Sequence, residues 1–162
     1  MSNFNEKIGS DNPFESINIS EFANPVFADL DGDGDFDLVL GGRNQPLRYW
    51  QNNNGNFTEK TGAENPVNGI SAGEINYPTF VDLDGDGDLD LVISGNANGS
   101  LKYWQNNNGS FTEKTGAENP VNGISAGFYT IPNFADLDGD GDLDRNCSTR
   151  LTSAQLWQKM IN

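Results

Sequence analysis

The chain has 162 residues, with 24 acidic and 9 basic side chains, no histidine and one cysteine, and its formal net charge is −15. This charge argues against a nucleic-acid partner, because binding a phosphate backbone requires a basic surface. The longest apolar runs, such as residues 91–93, are far shorter than the roughly 18 residues of a membrane-spanning helix, so no span is predicted. Without histidine or a thiol cluster, zinc and copper sites are not expected.

Short strands alternate with turns in the first part of the chain. Residues 25–28 and 38–40 are predicted as strands on either side of an acidic loop, and 47–50 as a third strand. A turn rich in asparagine and glycine at 52–55 then leads to a fourth strand at 56–60. Since no segment sustains a helical period, the sequence predicts an all-β fold built from groups of four short strands.

The acidic loop is part of an internal repeat. The sequence Asp-Leu-Asp-Gly-Asp-Gly-Asp-Phe-Asp at residues 29–37 recurs, with one substitution, at 82–90 and 136–144. Between residues 56–90 and 110–144, 28 of 35 positions are identical. Repetition at this period indicates that one structural unit is used three times.

The repeat divides the chain into three predicted domains of about 53 residues, which are 3–55, 56–109 and 110–162. Four strands in a unit of this size are typical of a β-propeller blade, whereas a parallel β-helix uses much shorter coils. Because propellers usually have 4 to 8 blades, three blades predict either a homodimer that forms a six-bladed ring or part of a longer chain. The opening fourth-strand sequence at 3–7 is expected to complete the last blade, which ends at a third-strand sequence, 156–158.

Each acidic loop supplies oxygen ligands at alternating positions. Carboxylates stand at positions 1, 3, 5 and 9, a backbone carbonyl is available at position 7, and Gly34 takes the sharp turn of the first loop. Calcium prefers 6 to 8 hard oxygen ligands in flexible geometry, whereas magnesium demands a tighter octahedron. We therefore predict about one Ca²⁺ per repeat. The predicted metal ligands are Asp29, Asp31, Asp33, Asp35, Asp37, Asp82, Asp84, Asp86, Asp88, Asp90, Asp136, Asp138, Asp140, Asp142 and Asp144.

Two other interpretations of the loops are less consistent with the sequence. In a solvated, metal-free loop, carboxylates about 4 Å apart repel by roughly 1 kcal/mol per pair, which opposes folding. An EF-hand needs a glutamate at position 12 and flanking helices. Position 12 is Leu40, Ile93 or Cys147, and the flanking segments are predicted as strands. The sequence therefore favours a calcium loop within a β-hairpin.

The loop and its neighbouring strands resemble a known repeat family. The sequence Phe-Ala-Asp-Leu-Asp-Gly-Asp-Gly-Asp-Phe-Asp-Leu-Val, followed by Leu-Arg-Tyr-Trp-Gln-Asn-Asn-Asn-Gly, is similar to FG-GAP/VCBS repeats, which resemble the calcium-loop blades of the integrin α-subunit propeller. The resemblance covers nearly all of residues 3–144. It implies a secreted or cell-surface propeller with structural calcium that acts in adhesion or protein interaction. Glycan binding and a self-assembling architectural role are the alternatives.

Other features of the sequence bear on these alternatives. No enzyme is expected, because the chain has no histidine and its glutamates recur with the repeat. The pairs Tyr49–Trp50, Tyr103–Trp104 and Leu156–Trp157 either form stacking platforms for a sugar or pack with one ring between blades and the other at the surface. The asparagine runs at 52–54 and 106–108 either contact a glycan or form ordinary turns. The first residues show no signal peptide.

The third unit departs from the repeat after Asp144. Polar residues 145–150 stand where the other two units have an apolar strand followed by glycine. The repeat resumes only at Trp157. We therefore expect the third blade to be the least stable part of the chain.

Overall fold

The computed structural model describes residues 5–18, 22–95, 98–124, 131–136 and 143–148. Within these ranges the chain forms ten β-strands, three single-turn 3₁₀ helices and no α-helix, which confirms the predicted all-β class. The 3₁₀ helices recur at the same point of each repeat, at Gly9–Asp11, Gly62–Glu64 and Gly116–Glu118. None of the described helices has the length and apolar character needed to cross a membrane.

Two complete four-stranded antiparallel sheets follow one another along the chain. In both, neighbouring strands pair in chain order, so each sheet is a simple meander. Sheet 1 contains β1 (Asn24–Ala28), β2 (Asp37–Gly41), β3 (Arg48–Asn53) and β4 (Asn56–Lys60). Sheet 2 contains β5 (Tyr77–Val81), β6 (Asp90–Ser94), β7 (Lys102–Asn107) and β8 (Ser110–Lys114). The four strands predicted for a repeat are confirmed.

The third repeat contributes an antiparallel pair of strands. β9 (Ile131–Ala135) pairs with β10 (Asp144–Ser148), and Asp144 lies opposite Ala135, just as Asp37 lies opposite Ala28 in sheet 1. The backbone of β10 therefore keeps the repeat register although its sequence is polar. The remainder of the divergent segment lies outside the described residues, and the low stability expected for the third blade stays a prediction.

The sheets are offset from the predicted repeat units, because each predicted unit begins with the fourth-strand sequence. Sheet 1 spans residues 24–60 and therefore crosses the unit boundary after residue 55. Residues 5–7, the described part of the predicted opening strand, lie in no strand. Its expected partner at 156–158 lies outside the described residues, and an edge strand forms only where its backbone groups find a partner.

Alternating side chains bury both faces of the inner strands. Since successive residues of a strand point to opposite faces, each central strand contributes apolar side chains to two different clusters. One cluster joins the two sheets and contains Val39, Leu47 and Tyr49 of sheet 1 with Leu91, Ile93 and Trp104 of sheet 2. A second cluster joins sheet 2 to the third repeat through Val92, Leu101, Tyr103, Val121 and Phe134. The sheets therefore stack face to face along the chain.

Close backbone contacts fix the spacing of the stack. The N–H of the buried Asn76 donates to the carbonyl of Gly42 at 3.0 Å, and a Cβ on the neighbouring Gly41 would collide with the Asn76 carbonyl. The hydroxyl of Thr79 donates to the carbonyl of Pro132 at 2.7 Å, which joins β5 to β9. The first strands of successive repeats thus lie side by side, with the acidic loops following them.

Candidate metal centre

The acidic loops connect the first two strands of each sheet. Residues 29–36 join β1 to β2, and residues 82–89 join β5 to β6, so strands rather than helices flank both loops. This excludes an EF-hand at these positions. Gly32 and Gly34 have φ values of +77° and +93°, in the left-handed region that glycine adopts without steric cost. The glycines therefore allow the chain to coil tightly around the aspartates.

The first aspartate of each loop accepts two backbone hydrogen bonds. The Asp29 carboxylate accepts the N–H of Gly32 at 2.8 Å through Oδ1 and the N–H of Gly34 at 3.0 Å through Oδ2. Asp82 accepts the N–H groups of Gly85 and Gly87 at the same two distances. The carboxylate at position 1 thereby organises the first half of the loop.

The next three aspartates are oriented one after another. Asp31 Oδ1 accepts the N–H of Asp33 at 3.2 Å, and Asp33 Oδ1 accepts the N–H of Asp35 at 2.9 Å. Asp35 Oδ2 accepts the N–H of Asn54, in the β3–β4 turn, at 2.7 Å. Asp84, Asp86, Asp88 and Asn108 repeat this chain at 3.3, 2.9 and 2.7 Å. Because a carboxylate offers about four acceptor positions, these bonds leave oxygen lone pairs for a cation.

The aspartate at position 9 is buried and anchors the loop to the sheet. Asp37 Oδ2 accepts the hydroxyl of Tyr49 at 2.8 Å and the N–H of Leu30 at 3.2 Å, and Oδ1 accepts the N–H of Asn52 at 2.8 Å. Burial raises the pKa of Asp37 although these hydrogen bonds act in the opposite direction. A raised pKa means that the anionic form is disfavoured, and a nearby cation would offset that cost.

Sheet 2 contains the same buried arrangement. Asp90 accepts the Tyr103 hydroxyl at 2.9 Å, the Leu83 N–H at 3.0 Å and the Asn106 N–H at 2.8 Å. Burial again raises the pKa of Asp90, and burial followed by the hydrogen bond to Asp90 raises the pKa of Tyr103. The tyrosine therefore stays protonated and serves as a hydrogen-bond donor.

Carboxylate oxygens from three aspartates converge in each loop. In the first loop one oxygen each from Asp29, Asp31 and Asp37 lies within 4.8 Å of the others. In the second loop the converging residues are Asp82, Asp84 and Asp86. All of these donors are hard oxygens, which suit Ca²⁺ and exclude a preference for soft metals. The residues of both loops therefore fit a calcium ion.

The structure describes some of the fifteen predicted ligands and not others. The ten aspartates of the first two repeats lie in the two hairpins described above. Asp136 follows β9, and Asp144 begins β10. Asp138, Asp140 and Asp142 lie outside the described residues. The assignment of all fifteen as metal ligands stays a prediction.

Sequence reasoning missed several residues that shape the loops. Gln51 donates from Nε2 to Asp31, and Gln105 donates in the same way to Asp84. The sequence indicated sugar stacking or packing between blades for Tyr49 and Tyr103, but not that their hydroxyls hold the buried aspartates. The signal was present in the repeat, since a tyrosine and a glutamine flank the tryptophan at the same position of the first two units.

The structure contradicts the sugar platform and confirms part of the other interpretation of the aromatic pairs. Tyr49 and Trp104 pack between the two sheets, as expected for one ring of each pair. The second ring of each pair, Trp50 and Tyr103, is buried as well, so the expected surface ring is wrong. The physical reason is that both sides of the sheet are covered at these positions: Phe14 and Ile17 pack on Trp50, and Tyr49 and Trp104 pack between the two sheets. The corresponding Trp157 lies outside the described residues.

The asparagines at the start of the two runs hold turns together. Asn52 Nδ2 donates to the Phe36 carbonyl at 3.0 Å, and Asn52 Oδ1 accepts the Gly55 N–H at 2.8 Å. Asn106 makes the equivalent bonds to Leu89 and Gly109 at the same distances. These contacts favour the turn-forming role over direct glycan contact for these two side chains.

An open cleft of about 870 Å³ lies between the two loops. We call it the inter-loop cleft. Polar side chains dominate its walls, and acidic residues outnumber the one lysine. The lining includes Asp29, Asp31, Gln51, Lys60 and Glu64 from the first loop, β3, β4 and the segment after β4, and Asp88 and Asn108 from sheet 2. The cleft is therefore an acidic recess bounded by both candidate metal sites.

Stacked four-stranded meanders with acidic hairpin loops define a β-propeller-like repeat protein. The sequence matches the FG-GAP-like repeat family over residues 29–93 and again over residues 82–145, which together cover more than half of the chain. The chain therefore belongs to the FG-GAP-like repeat family. A comparison with curated proteins found no match.

Proposed function

We propose that the chain is a calcium-stabilised, β-propeller-like interaction module that acts in extracellular adhesion or protein recognition. The observation that supports this proposal is the geometry of the two loops. Both hold five aspartates in the same series of hydrogen bonds, and in both three carboxylates converge within 4.8 Å. Such crowding of anions opposes folding unless a cation neutralises it.

Hydrogen bonds between the acidic loop and the sheet explain how a bound ion would stabilise more than the loop itself. Asp31, Asp35 and Asp37 are hydrogen-bonded to residues of β3 and of the turn that follows it, which are Gln51, Asn52 and Asn54. The loop thus links three strand ends of one sheet. Calcium would supply positive charge among the carboxylates, and the aspartates would transmit the resulting order to the rest of the sheet.

The expected affinity supports an extracellular setting. Calcium sites of extracellular modules bind with dissociation constants of roughly 10⁻⁴ to 10⁻³ M, and such sites would be mostly empty at cytosolic calcium levels. A module that needs these ions for stability would therefore work best outside the cell. A protein ligand is the favoured partner, because stacked sheets form a rigid scaffold that presents exposed loops.

Glycan recognition remains the second candidate, and the inter-loop cleft is the feature that favours it. The cleft offers the Gln51 amide, the Asn108 amide and several carboxylates as hydrogen-bonding groups. A glycan array probed with the calcium-loaded chain would separate the two candidates. Specific binding that Gln51→Ala abolishes would favour the glycan role, and no binding to any glycan would leave the protein partner.

Thermal unfolding in calcium and in EGTA tests the proposal. With about 10 mM Ca²⁺ and the affinities above, each site should add about 1.4–2.7 kcal/mol to the free energy of unfolding. The melting temperature should fall in EGTA, and magnesium should restore it less than calcium does. Asp31→Asn and Asp84→Asn should each reduce the calcium-dependent gain.

A matched variant controls for net charge. Glu118→Gln also removes one negative charge, but from an exposed residue outside the acidic loops, so its gain from calcium should equal that of the wild type. Identical melting curves in calcium and EGTA would refute calcium stabilisation. Equal losses of the gain in the Asp31, Asp84 and Glu118 variants would show that any ion effect is non-specific.

A further inference from the structure

Five asparagine–glycine dipeptides occur in the chain. In this dipeptide the backbone nitrogen of the glycine reaches the side-chain amide of the asparagine most easily, because glycine has no side chain to hinder the approach. The dipeptides are residues 54–55, 68–69, 98–99, 108–109 and 122–123. Since the second residue is glycine in every case, the folded structure decides which asparagines react.

The two dipeptides in the β-hairpin turns hold their glycine amides in hydrogen bonds. The Gly55 N–H donates to Asn52 Oδ1 at 2.8 Å. The Gly109 N–H donates to Asn106 Oδ1 at the same distance. Strand pairing also holds each turn on both sides. Because an amide nitrogen must give up such a hydrogen bond before it attacks, these two sites are protected.

The dipeptide in the segment after β4 lies in an exposed turn. The Ile70 N–H donates to the Val67 carbonyl at 3.2 Å, and Gly69 has a φ of +75°, which is typical of a type II turn. Asn68 and Gly69 are both exposed, and neither lies in a strand. Among the residues that the structure describes, none accepts the Gly69 N–H. This nitrogen is therefore free to attack the neighbouring side chain.

The segment after β8 repeats this turn. The Ile124 N–H donates to the Val121 carbonyl at 3.3 Å, and Gly123 has a φ of +77°. Asn122 and Gly123 are exposed, and no residue in the described part of the chain accepts the Gly123 N–H. The sequences of residues 61–73 and 115–127 are identical, so the two turns should react alike.

The dipeptide at 98–99 differs from both pairs. Asn98 Oδ1 accepts the Ser100 N–H at 3.2 Å, and Gly99 is buried. Burial keeps solvent base away from the Gly99 amide, which must lose its proton to react. We therefore expect slow reaction at this position.

We propose that Asn68 and Asn122 are sites of spontaneous deamidation, whereas the hairpin turns protect Asn54 and Asn108. At Asn68 the Gly69 nitrogen gives its proton to solvent base and attacks the side-chain amide carbon. A new C–N bond forms, the bond to the amide nitrogen breaks, and ammonia leaves with a proton from solvent. Water then opens the resulting cyclic imide at one of its two carbonyls, which yields aspartate or isoaspartate. The reaction consumes only water and does not depend on calcium.

Isoaspartate at position 68 would weaken the packing between sheets 1 and 2. It adds one carbon atom to the main chain between Val67 and Ile70, which both contact the apolar cluster between the sheets. The Ile70 carbonyl also accepts the Leu47 N–H at 3.2 Å. Because closely packed side chains tolerate little displacement, the chain should become less stable as it ages.

Peptide mapping of the full chain tests the proposal, after incubation of the folded protein in calcium at mildly alkaline pH. Trypsin places the five asparagines in four peptides, which are 49–60, 61–102, 103–114 and 115–145. Deamidation is detected as the mass gain of an amide-to-acid conversion, and fragment ions distinguish Asn68 from Asn98. Asn68 and Asn122 should react about fivefold to tenfold faster than Asn54 and Asn108, because the protected sites must first break a hydrogen bond.

Two variants of Asn52 form a matched pair. Asn52→Ala and Asn52→Asp both lose the donor to the Phe36 carbonyl, but only Asn52→Ala loses the acceptor for the Gly55 N–H. Asn54 should therefore deamidate faster in Asn52→Ala than in Asn52→Asp. Asn108 in the same chain should stay slow in both variants.

The unfolded chain provides a second control. In denaturant the five asparagines should react at similar rates, since the hydrogen bonds that protect some of them are lost. Equal rates at the four exposed asparagines of the folded chain would overturn the proposal, and so would an unchanged order of rates in denaturant. If circular dichroism shows that the Asn52 variants do not fold, the comparison of the folded and unfolded wild type still decides the question.

The structural effect is tested separately. Ion exchange isolates the chain modified at position 68, which has one more negative charge. Its melting temperature should lie below that of Asn68→Asp, which has the same charge but a normal main chain. Equal melting temperatures would show that the longer main chain does not disturb the contact between the sheets.

Discussion

The acidic loops of sheets 1 and 2 have nearly the same hydrogen-bond geometry, but equivalent residues on the faces of the two sheets differ in exposure. The Asp29–Gly32 and Asp82–Gly85 hydrogen bonds both measure 2.8 Å, and the bonds from Tyr49 and Tyr103 to the buried aspartates differ by only 0.1 Å. Phe27, however, is far more exposed than the equivalent Phe80. Loop geometry is therefore determined within one repeat, whereas burial of a strand face depends on the neighbouring sheet.

The largest loss in the free energy of unfolding should come from substituting core residues that are equivalent in the repeat but are covered by different amounts of neighbouring structure. Ile93 is fully buried between the two sheets, whereas Leu40 lies on the side of sheet 1 that faces away from sheet 2, beneath a single connecting segment. Ile93→Ala should reduce the free energy of unfolding by about 2–5 kcal/mol, and Leu40→Ala by at least about 1 kcal/mol less, because less packing is lost. Urea denaturation of monomeric protein measures both. Equal losses would show that stacking does not distinguish the two faces.

The next largest loss of stability tests whether the two acidic loops are held by equivalent hydrogen bonds. Tyr49→Phe and Tyr103→Phe each remove a buried hydroxyl donor to a carboxylate, so each should cost about 1.5–3 kcal/mol. Because the geometry is shared, the two losses should agree within about 0.5 kcal/mol. In a double-mutant cycle, Asp37→Asn should reduce the effect of Tyr49→Phe. If only one of the two tyrosine substitutions lowers the free energy of unfolding, the buried hydrogen bonds of the two sheets are not equivalent.

The smallest effect concerns the contact between sheet 2 and the third repeat. Thr79 donates a hydrogen bond to Pro132, whereas the equivalent residue of sheet 1 is Val26, which packs against the cluster between the sheets. Thr79→Val keeps the shape of the side chain but removes the donor, so it should cost about 0.5–1.5 kcal/mol. Hydrogen exchange should show faster opening of β9 in this variant. Unchanged exchange in β9 would mean that this bond does not hold the third repeat.

Local features of the sequence were sufficient to predict the strands and the acidic loops. Short apolar runs such as residues 38–40, bounded by turn residues, indicate a strand, and the Asp-Gly repeats indicate a tight turn, so neither depends on distant residues. The shared register of Asp37, Asp90 and Asp144 follows from the same repetition. The prediction of an all-β repeat fold was correct for this reason.

Contacts between side chains on different strands could not be predicted from the sequence. The bond from Tyr49 to Asp37 joins residues 12 positions apart on adjacent strands, and only the register brings them together. The burial of Trp50 likewise depends on Phe14 and Ile17, which lie far away along the chain. The third repeat carries Leu156 where the first two have tyrosine, so the donor to its position-9 aspartate is absent from that place in the sequence.

The number of calcium ions bound per chain tests the central claim most directly. Equilibrium dialysis followed by atomic emission should find three ions per wild-type chain, one for each hairpin. The variant with both Asp31→Asn and Asp84→Asn should lose the two ions of the described loops. A folded wild-type chain that binds no calcium at millimolar concentration would contradict the account.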